Sequence, residues 1–261
     1  MQTILVPVDF SDTASGAARY SVQLFKSSTN TEIIFYHMYA DDEGEDLAMA
    51  ALENLRNELQ VPGLMINIIS TQGKDLVEET EKVARHRKAD LIVMGITGRS
   101  ALAQVFVGSN TLKMTEQKAC PVLIIPADAT DRAIKQVMLA TDLKDVINTI
   151  PSAPIKTALA AFNNPKLHVL NVNSEVYISL SEEEEMERNN LKEMFSEFNP
   201  EFYFLRLYDV DDAIHQFAED KNVDMIIAIH KHHSLLGRLF STSHTKKLAY
   251  HSSVPVLVVH E

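Results

Sequence analysis

Apolar residues in this chain form short unbroken runs, separated by longer stretches in which they recur every three or four positions. In the first half the runs fall at 2–8, 31–38, 64–70, 90–95 and 121–125. They are rich in Val and Ile and lack polar alternation, the pattern of strands buried on both faces. The periodic stretches at about 12–26, 43–59, 74–88 and 109–118 predict helices. Strand–helix alternation of this kind predicts right-handed crossovers and a parallel sheet. The second half predicts strands at about 135–140, 167–172, 201–207, 224–229 and 254–259. Pro151 and Pro154 fall where its first helix belongs, so that helix is expected to begin late.

The two halves are copies. Ile4-Leu5-Val6-Pro7-Val8-Asp9 parallels Val137-Met138-Leu139-Ala140-Thr141-Asp142. Asp90-Leu91-Ile92-Val93-Met94 parallels Asp224-Met225-Ile226-Ile227-Ala228, and Cys120-Pro121-Val122-Leu123 parallels Val254-Pro255-Val256-Leu257. The offsets are 142 − 9 = 133, 224 − 90 = 134 and 255 − 121 = 134. Three segments in one order at nearly one offset mark an old duplication. The polar stretch 126–132, PADATDR, is the natural linker, giving domains at 1–127 and 133–261.

At 261 residues, each half is long enough to bury its own core. A formal net charge of −12 argues against a nucleic-acid or anionic-membrane partner, since both are polyanions. The acidic clusters Asp41–Asp46 and Glu182–Glu185 read as solvated helix starts, where carboxylates meet the positive end of the helix. Cys120 is the one cysteine, placed before Pro121 and an apolar run, and reads as a buried structural thiol. No basic leader region opens the sequence and no apolar run approaches a membrane span of ~18 residues, so a cytoplasmic protein is expected.

In an open parallel sheet, ligands bind beyond the carboxyl ends of the strands, where strand order reverses. Asp9 follows the first strand directly, and Met94-Gly95-Ile96-Thr97-Gly98-Arg99 follows the fourth. Gly108-Ser109-Asn110 then opens a helix. Glycines there permit close backbone approach, and N–H groups at a helix start favour phosphate. Asp9 can accept a hydrogen bond from a ribose hydroxyl or the adenine edge. Neither a Gly-x4-Gly-Lys-Ser/Thr loop nor Gly-x-Gly-x2-Gly occurs. No general base or metal-carboxylate pair stands out, which favours binding over dedicated catalysis.

The spacing Gly95-x2-Gly98-x9-Gly108-Ser109-Asn110 resembles the ATP-binding signature of the universal stress proteins. The opening Ile4-Leu5-Val6-Pro7-Val8-Asp9-Phe10-Ser11, the segment Asp90–Gly95 and the closing Cys120-Pro121-Val122-Leu123 are similar too. The resemblance spans the chain as two copies and is complete only in the first. It implies an α/β fold of two tandem doubly wound domains, adenine nucleotide alpha hydrolase-like. Each would hold a five-stranded parallel sheet in the order 3-2-1-4-5 with helices on both faces. It further implies ATP, with or without Mg2+, a role in stress survival, and an intrachain pseudo-dimer about a twofold axis. Dimerisation of the whole chain stays open. By position, Pro7, Val8 and Asp9 would line the adenosine end, Met38 would abut the adenine, Gly95, Gly98, Arg99, Gly108, Ser109 and Asn110 would hold the phosphates, and Met94 would count among the nucleotide-binding residues.

The second copy departs from that pattern. Aligned on Pro255, Ile229, His232 and Thr242 stand where the first has Gly95, Gly98 and Gly108. Branched side chains rarely adopt positive φ and would fill the phosphate space. Asp142 and Ser243 survive opposite Asp9 and Ser109, while His232, His233, Arg238 and Lys246 make the region basic. Three alternatives remain: a slow ATP hydrolase or nucleotidyl transferase, a nucleotide-independent scaffold, and a zinc site built on His230, His232 and His233. The zinc reading lacks a standard motif.

Overall fold

The computed structural model describes residues 2–28, 30–41, 44–96, 109–173, 180–206, 210–230 and 254–261. The chain divides into two compact units, Met1–Asp131 and Arg132–Glu261.

In the first unit the strands are β1 (Gln2–Pro7), β2 (Thr31–Tyr39), β3 (Met65–Gln72), β4 (Leu91–Ile96) and β5 (Val122–Pro126). The helices are α1 (Asp12–Phe25), α2 (Gly44–Leu59), α3 (Leu76–Arg87) and α4 (Ser109–Met114). All strand pairs are parallel, and the order is β3-β2-β1-β4-β5. Ile4, Leu5, Val6, Ile33, Ile34, Ile92 and Val93 are fully buried, because helices cover both faces of the central strands. Only α4 ends well short of its expected span, at Met114 rather than residue 118.

The second unit repeats the order as β8-β7-β6-β9-β10, again parallel throughout. Its strands are β6 (Gln136–Thr141), β7 (Lys166–Asn173), β8 (Glu201–Arg206), β9 (Met225–His230) and β10 (Val256–His260). Its helices are α5 (Val146–Thr149), α6 (Ser152–Ala161), α7 (Glu182–Met194) and α8 (Val210–Asp220). The prolines split the first helix in two rather than only delaying it. Ile150, before Pro151, is extended at φ −101° and ψ 112°, the conformation a following proline imposes. Pro154 lies in the first turn of α6, where a missing N–H costs no helical bond.

The repeated aspartates have a structural cause. Asp90 Oδ2 accepts from Thr3 N at 2.8 Å, while Asp90 N donates to Thr3 O at 2.8 Å. Asp224 and Gln136 make the same reciprocal pair at 2.9 and 2.8 Å. Each aspartate thus clamps the start of its fourth strand to the start of its first. In the second unit Arg132 Nε adds an ion pair to Asp224 Oδ1 at 2.7 Å. The acidic runs also sit where expected: Glu45 and Asp46 lie in the first turn of α2, and Glu182–Glu185 in that of α7. Ser181 and Glu184 close a reciprocal capping box on α7.

Cys120 is half-buried. Burial first, then the Asp90 charge, pushes its thiol up to about 12, which keeps it protonated at neutral pH.

Candidate functional site

In the first unit strand order reverses between β1 and β4, so a crevice opens beyond their carboxyl ends. The floor of that crevice is Pro7 and Val8, both buried. Val8 is held from both sides: its N–H donates to Tyr36 O at 2.7 Å, and its carbonyl meets His37 Nδ1 at 2.7 Å. Phe10 follows in the left-handed region at φ 61°, with its ring 4.7 Å from the His37 ring. His37 therefore sets both the end of β1 and the turn after it. The sequence reading did not single it out; an imidazole near the end of a strand of Ile and Phe was the signal.

Asp9 is exposed at the lip. Its Oδ1 accepts from Ser11 N at 3.0 Å and from Ser11 Oγ at 2.6 Å. Ser11 Oγ in turn accepts from Ala14 N at 3.2 Å, capping α1. The aspartate thus has a local task in starting the helix, and its carboxylate still borders solvent.

Gly95 lies at the end of β4, and the structure gives its missing side chain a specific use. A Cβ there would strike the Thr13 carbonyl oxygen and lie 2.7 Å from Thr13 Cγ2. The bare α-carbon lets the first turn of α1 sit down on β4. Among the described glycines only Gly63 has positive φ, so Gly95 serves close packing rather than an unusual backbone angle. The Gly95 carbonyl accepts from Thr111 Oγ1 at 2.8 Å, tying the first turn of α4 to the same strand end. Ser109 and the exposed Asn110 open α4 at that place.

Met94 is buried. Met38 is half-buried and turned toward the end of β3, where a Cβ on Gly73 would come within 2.8 Å of its Sδ. Of the expected site residues, Asp9, Gly95, Ser109 and Asn110 converge on the strand ends by these ties, and Pro7 and Val8 form the floor. Gly98, Arg99 and Gly108 lie outside the described residues.

The second unit keeps the scaffold and alters the lip. Asn171 Nδ2 donates to Thr141 O at 3.1 Å, the counterpart of His37 on Val8. Asp142, opposite Asp9, is buried rather than exposed. Ile229, in the place of Gly95, is buried as well. Since a Cβ at that place in the first unit would meet α1, a branched side chain demands a different first helix, and α5 is a single turn. Glu187 of α7, 9% exposed, accepts from Val146 N at 2.8 Å and places a carboxylate of the protein itself at the start of α5.

Among the described residues no three or more His, Cys, Asp or Glu side chains gather as a metal site. His230 lies beside His260, ring centroids 5.4 Å apart, and His232 and His233 fall outside the described residues. No helix among the described residues is long and apolar enough to cross a membrane.

Comparison with known proteins decides the family. The model of the universal stress protein family matches residues 1–126 and 155–260. The chain belongs to the universal stress protein family. A universal stress protein of Methanocaldococcus jannaschii is 28% identical over 151 residues, covering 47% of this chain and 93% of its own length. One from Thermus aquaticus is 31% identical over 136 residues, covering 48% of this chain and 98% of itself. Each such relative has about the length of one unit here. A universal stress protein from Archaeoglobus fulgidus has the same fold throughout, with a TM-score of 0.73 at 19% identity over 99% of this chain and 98% of its own. A putative universal stress protein from Pseudomonas aeruginosa gives 0.67 at 17% identity over 100% and 93%. The family match resumes only at residue 155, after β6 and α5, so Asp142 and α5 of the altered lip fall in the unmatched stretch while Ile229 and Glu187 lie within the matched one.

Proposed function

We propose that this universal stress protein binds ATP in its first unit and acts as a nucleotide-dependent regulator in the stress response, the second unit serving as a structural partner. The observation that carries this reading is the contrast between the two crevices. The first has an exposed Asp9, a glycine strand end and a helix start tied to that strand. The second has a buried Asp142, Ile229 for the glycine and Glu187 at the helix start.

In this reading Pro7, Val8 and Asp9 border the adenosine, with Met38 beside the base. Met94 supports the strand from the core. Gly95, Gly98, Arg99, Gly108, Ser109 and Asn110 surround the phosphates, with or without Mg2+. Amides and one guanidinium neutralise phosphate charge and no residue is assigned to activate water, so the site holds nucleotide rather than turning it over. The reading favours domain limits of 1–127 and 133–261, paired within the chain as a pseudo-dimer, in a cytoplasmic protein.

Affinity of about −8 kcal/mol, roughly micromolar, is expected. Gly108→Val should abolish ATP binding in calorimetry while circular dichroism stays native, since the new side chain fills space the phosphates need. Undiminished affinity in that variant would overturn the assignment.

A further inference from the structure

Away from the strand ends, the second unit carries a buried imidazole that has no part in the nucleotide site of the first. His168, on β7, is 2% exposed. Its Nε2 lies 2.7 Å from Gln136 Oε1 on β6, which makes Nε2 the protonated nitrogen and leaves the lone pair on Nδ1. Nδ1 is buried without a hydrogen-bond partner and lies 3.8 Å from Glu201 Oε2 on β8.

That carboxylate is already engaged. Glu201 pairs with Lys166 Nζ at 2.7 Å and accepts from Tyr203 OH at 2.7 Å. Lys221, following α8, sits over the Tyr203 ring at 4.6 Å, and Phe217 of α8 packs against His168 at 6.1 Å and Tyr203 at 4.9 Å. Among the described residues, the charged and titratable groups facing His168 are thus Lys166, Glu201, Tyr203 and Lys221, two ammoniums against one carboxylate. From β6 comes only the neutral Gln136.

The duplication supplies an internal control. Thr3 and Gln136 share the same clamp, at an offset of 136 − 3 = 133, and Asp90 and Asp224 share it at 134. The strand register Leu5↔Ile34↔Asn67 then matches Met138↔His168↔Glu201. His168 stands where the first unit has the fully buried Ile34. At the neighbouring pair, Glu32 and Asn67 share one hydrogen bond where Lys166 and Glu201 form an ion pair.

We propose that His168 makes the second unit acid-responsive: proton uptake at its buried Nδ1 opposes the native arrangement of β6, β7 and the edge strand β8, whereas Ile34 at the matching position of the first unit can take up no proton. A charged ring loses hydration in this pocket and meets Lys166 and Lys221. It can recover an acceptor only by drawing Glu201 from 3.8 Å into hydrogen-bond range, at the expense of the Lys166 and Tyr203 contacts. Burial foremost, then Lys166, holds the His168 pKa below its ordinary value against the pull of Glu201. The folded state therefore binds this proton less readily than the unfolded chain. Its stabilising effect is complete above the unfolded pKa of about 6.5 and declines as pH falls through that value.

The test uses the full-length protein in two measurements. NMR titration should show the assigned His168 ring titrating below about 6.5. Urea unfolding at several pH values should show the His168→Leu variant losing less stability than wild type between about pH 7.5 and 5.5. The gap in unfolding constant should grow up to about tenfold per unit of pKa depression. Glu201→Gln, which removes the one facing carboxylate, should lower the His168 titration further. Titration at or above about 6.5, or a wild-type-to-variant gap that is constant with pH, would overturn the proposal. Should His168→Leu fail to fold, the wild-type titration and its shift in Glu201→Gln decide alone.

Discussion

At Gly95 the requirement for no side chain comes from a neighbour eighty-two positions away in sequence, Thr13, by 95 − 13 = 82. Gly95→Ala should therefore cost stability before it touches any ligand. Overpacking against a backbone carbonyl predicts a loss of about 1–3 kcal/mol, measurable by urea denaturation without nucleotide. An unchanged midpoint would show that α1 yields freely. The sequence made Gly95 legible as a special position but attached it to phosphate approach, because spacing along the chain reveals which residue is bare and not what lies opposite. Asp9 was similarly legible as a strand-end acceptor, while its bonds to Ser11 in starting α1 became visible only in three dimensions. His37 passed nearly unnoticed, since its partner is a main-chain carbonyl on another strand. Cys120 was legible as an inert thiol. With its pKa pushed up to about 12, alkylation near pH 8 should be slow in the native protein and rise more than about tenfold on unfolding. Mass spectrometry of iodoacetamide adducts checks this.

Among the elements, the strands fell within two residues of their expected bounds, because continuous apolar runs leave little freedom over which residues a sheet must bury. Helix ends were less legible. α4 stops early at Met114, and the first helix of the second unit breaks into α5 and α6 around the extended Ile150. The acidic start of α7 was read as solvated, and this holds for Glu182 to Glu185. Two residues further along the same helix, Glu187 turns inward to the amide of Val146. Charge patterning gives no warning of that, since the acceptor it supplies belongs to another helix. Glu187→Ala leaves the buried Val146 N–H without its acceptor and should cost about 1–3 kcal/mol. Glu187→Gln keeps an acceptor oxygen and should cost clearly less. Equal losses in the two variants, measured by thermal unfolding, would mean that the contact contributes little.

For the whole molecule, the duplication was readable from three segments at nearly one spacing, and the reciprocal Asp90–Thr3 and Asp224–Gln136 clamps give the aspartates of one of those segments the same task in both units. Both units retain the scaffold and the tie between the second strand and the end of the first, His37 on Val8 and Asn171 on Thr141. They part company at the crevice lip: an exposed Asp9 against a buried Asp142, a bare Gly95 against Ile229, a long α1 against a one-turn α5 closed by Glu187. One nucleotide site is accordingly proposed for a chain of two family domains. Equilibrium titration of the full-length protein with ATP tests this most directly. Saturation is expected at about one ATP per chain with roughly micromolar affinity, abolished by Gly108→Val. Saturation at two equivalent sites, or a single site that survives Gly108→Val, would contradict it.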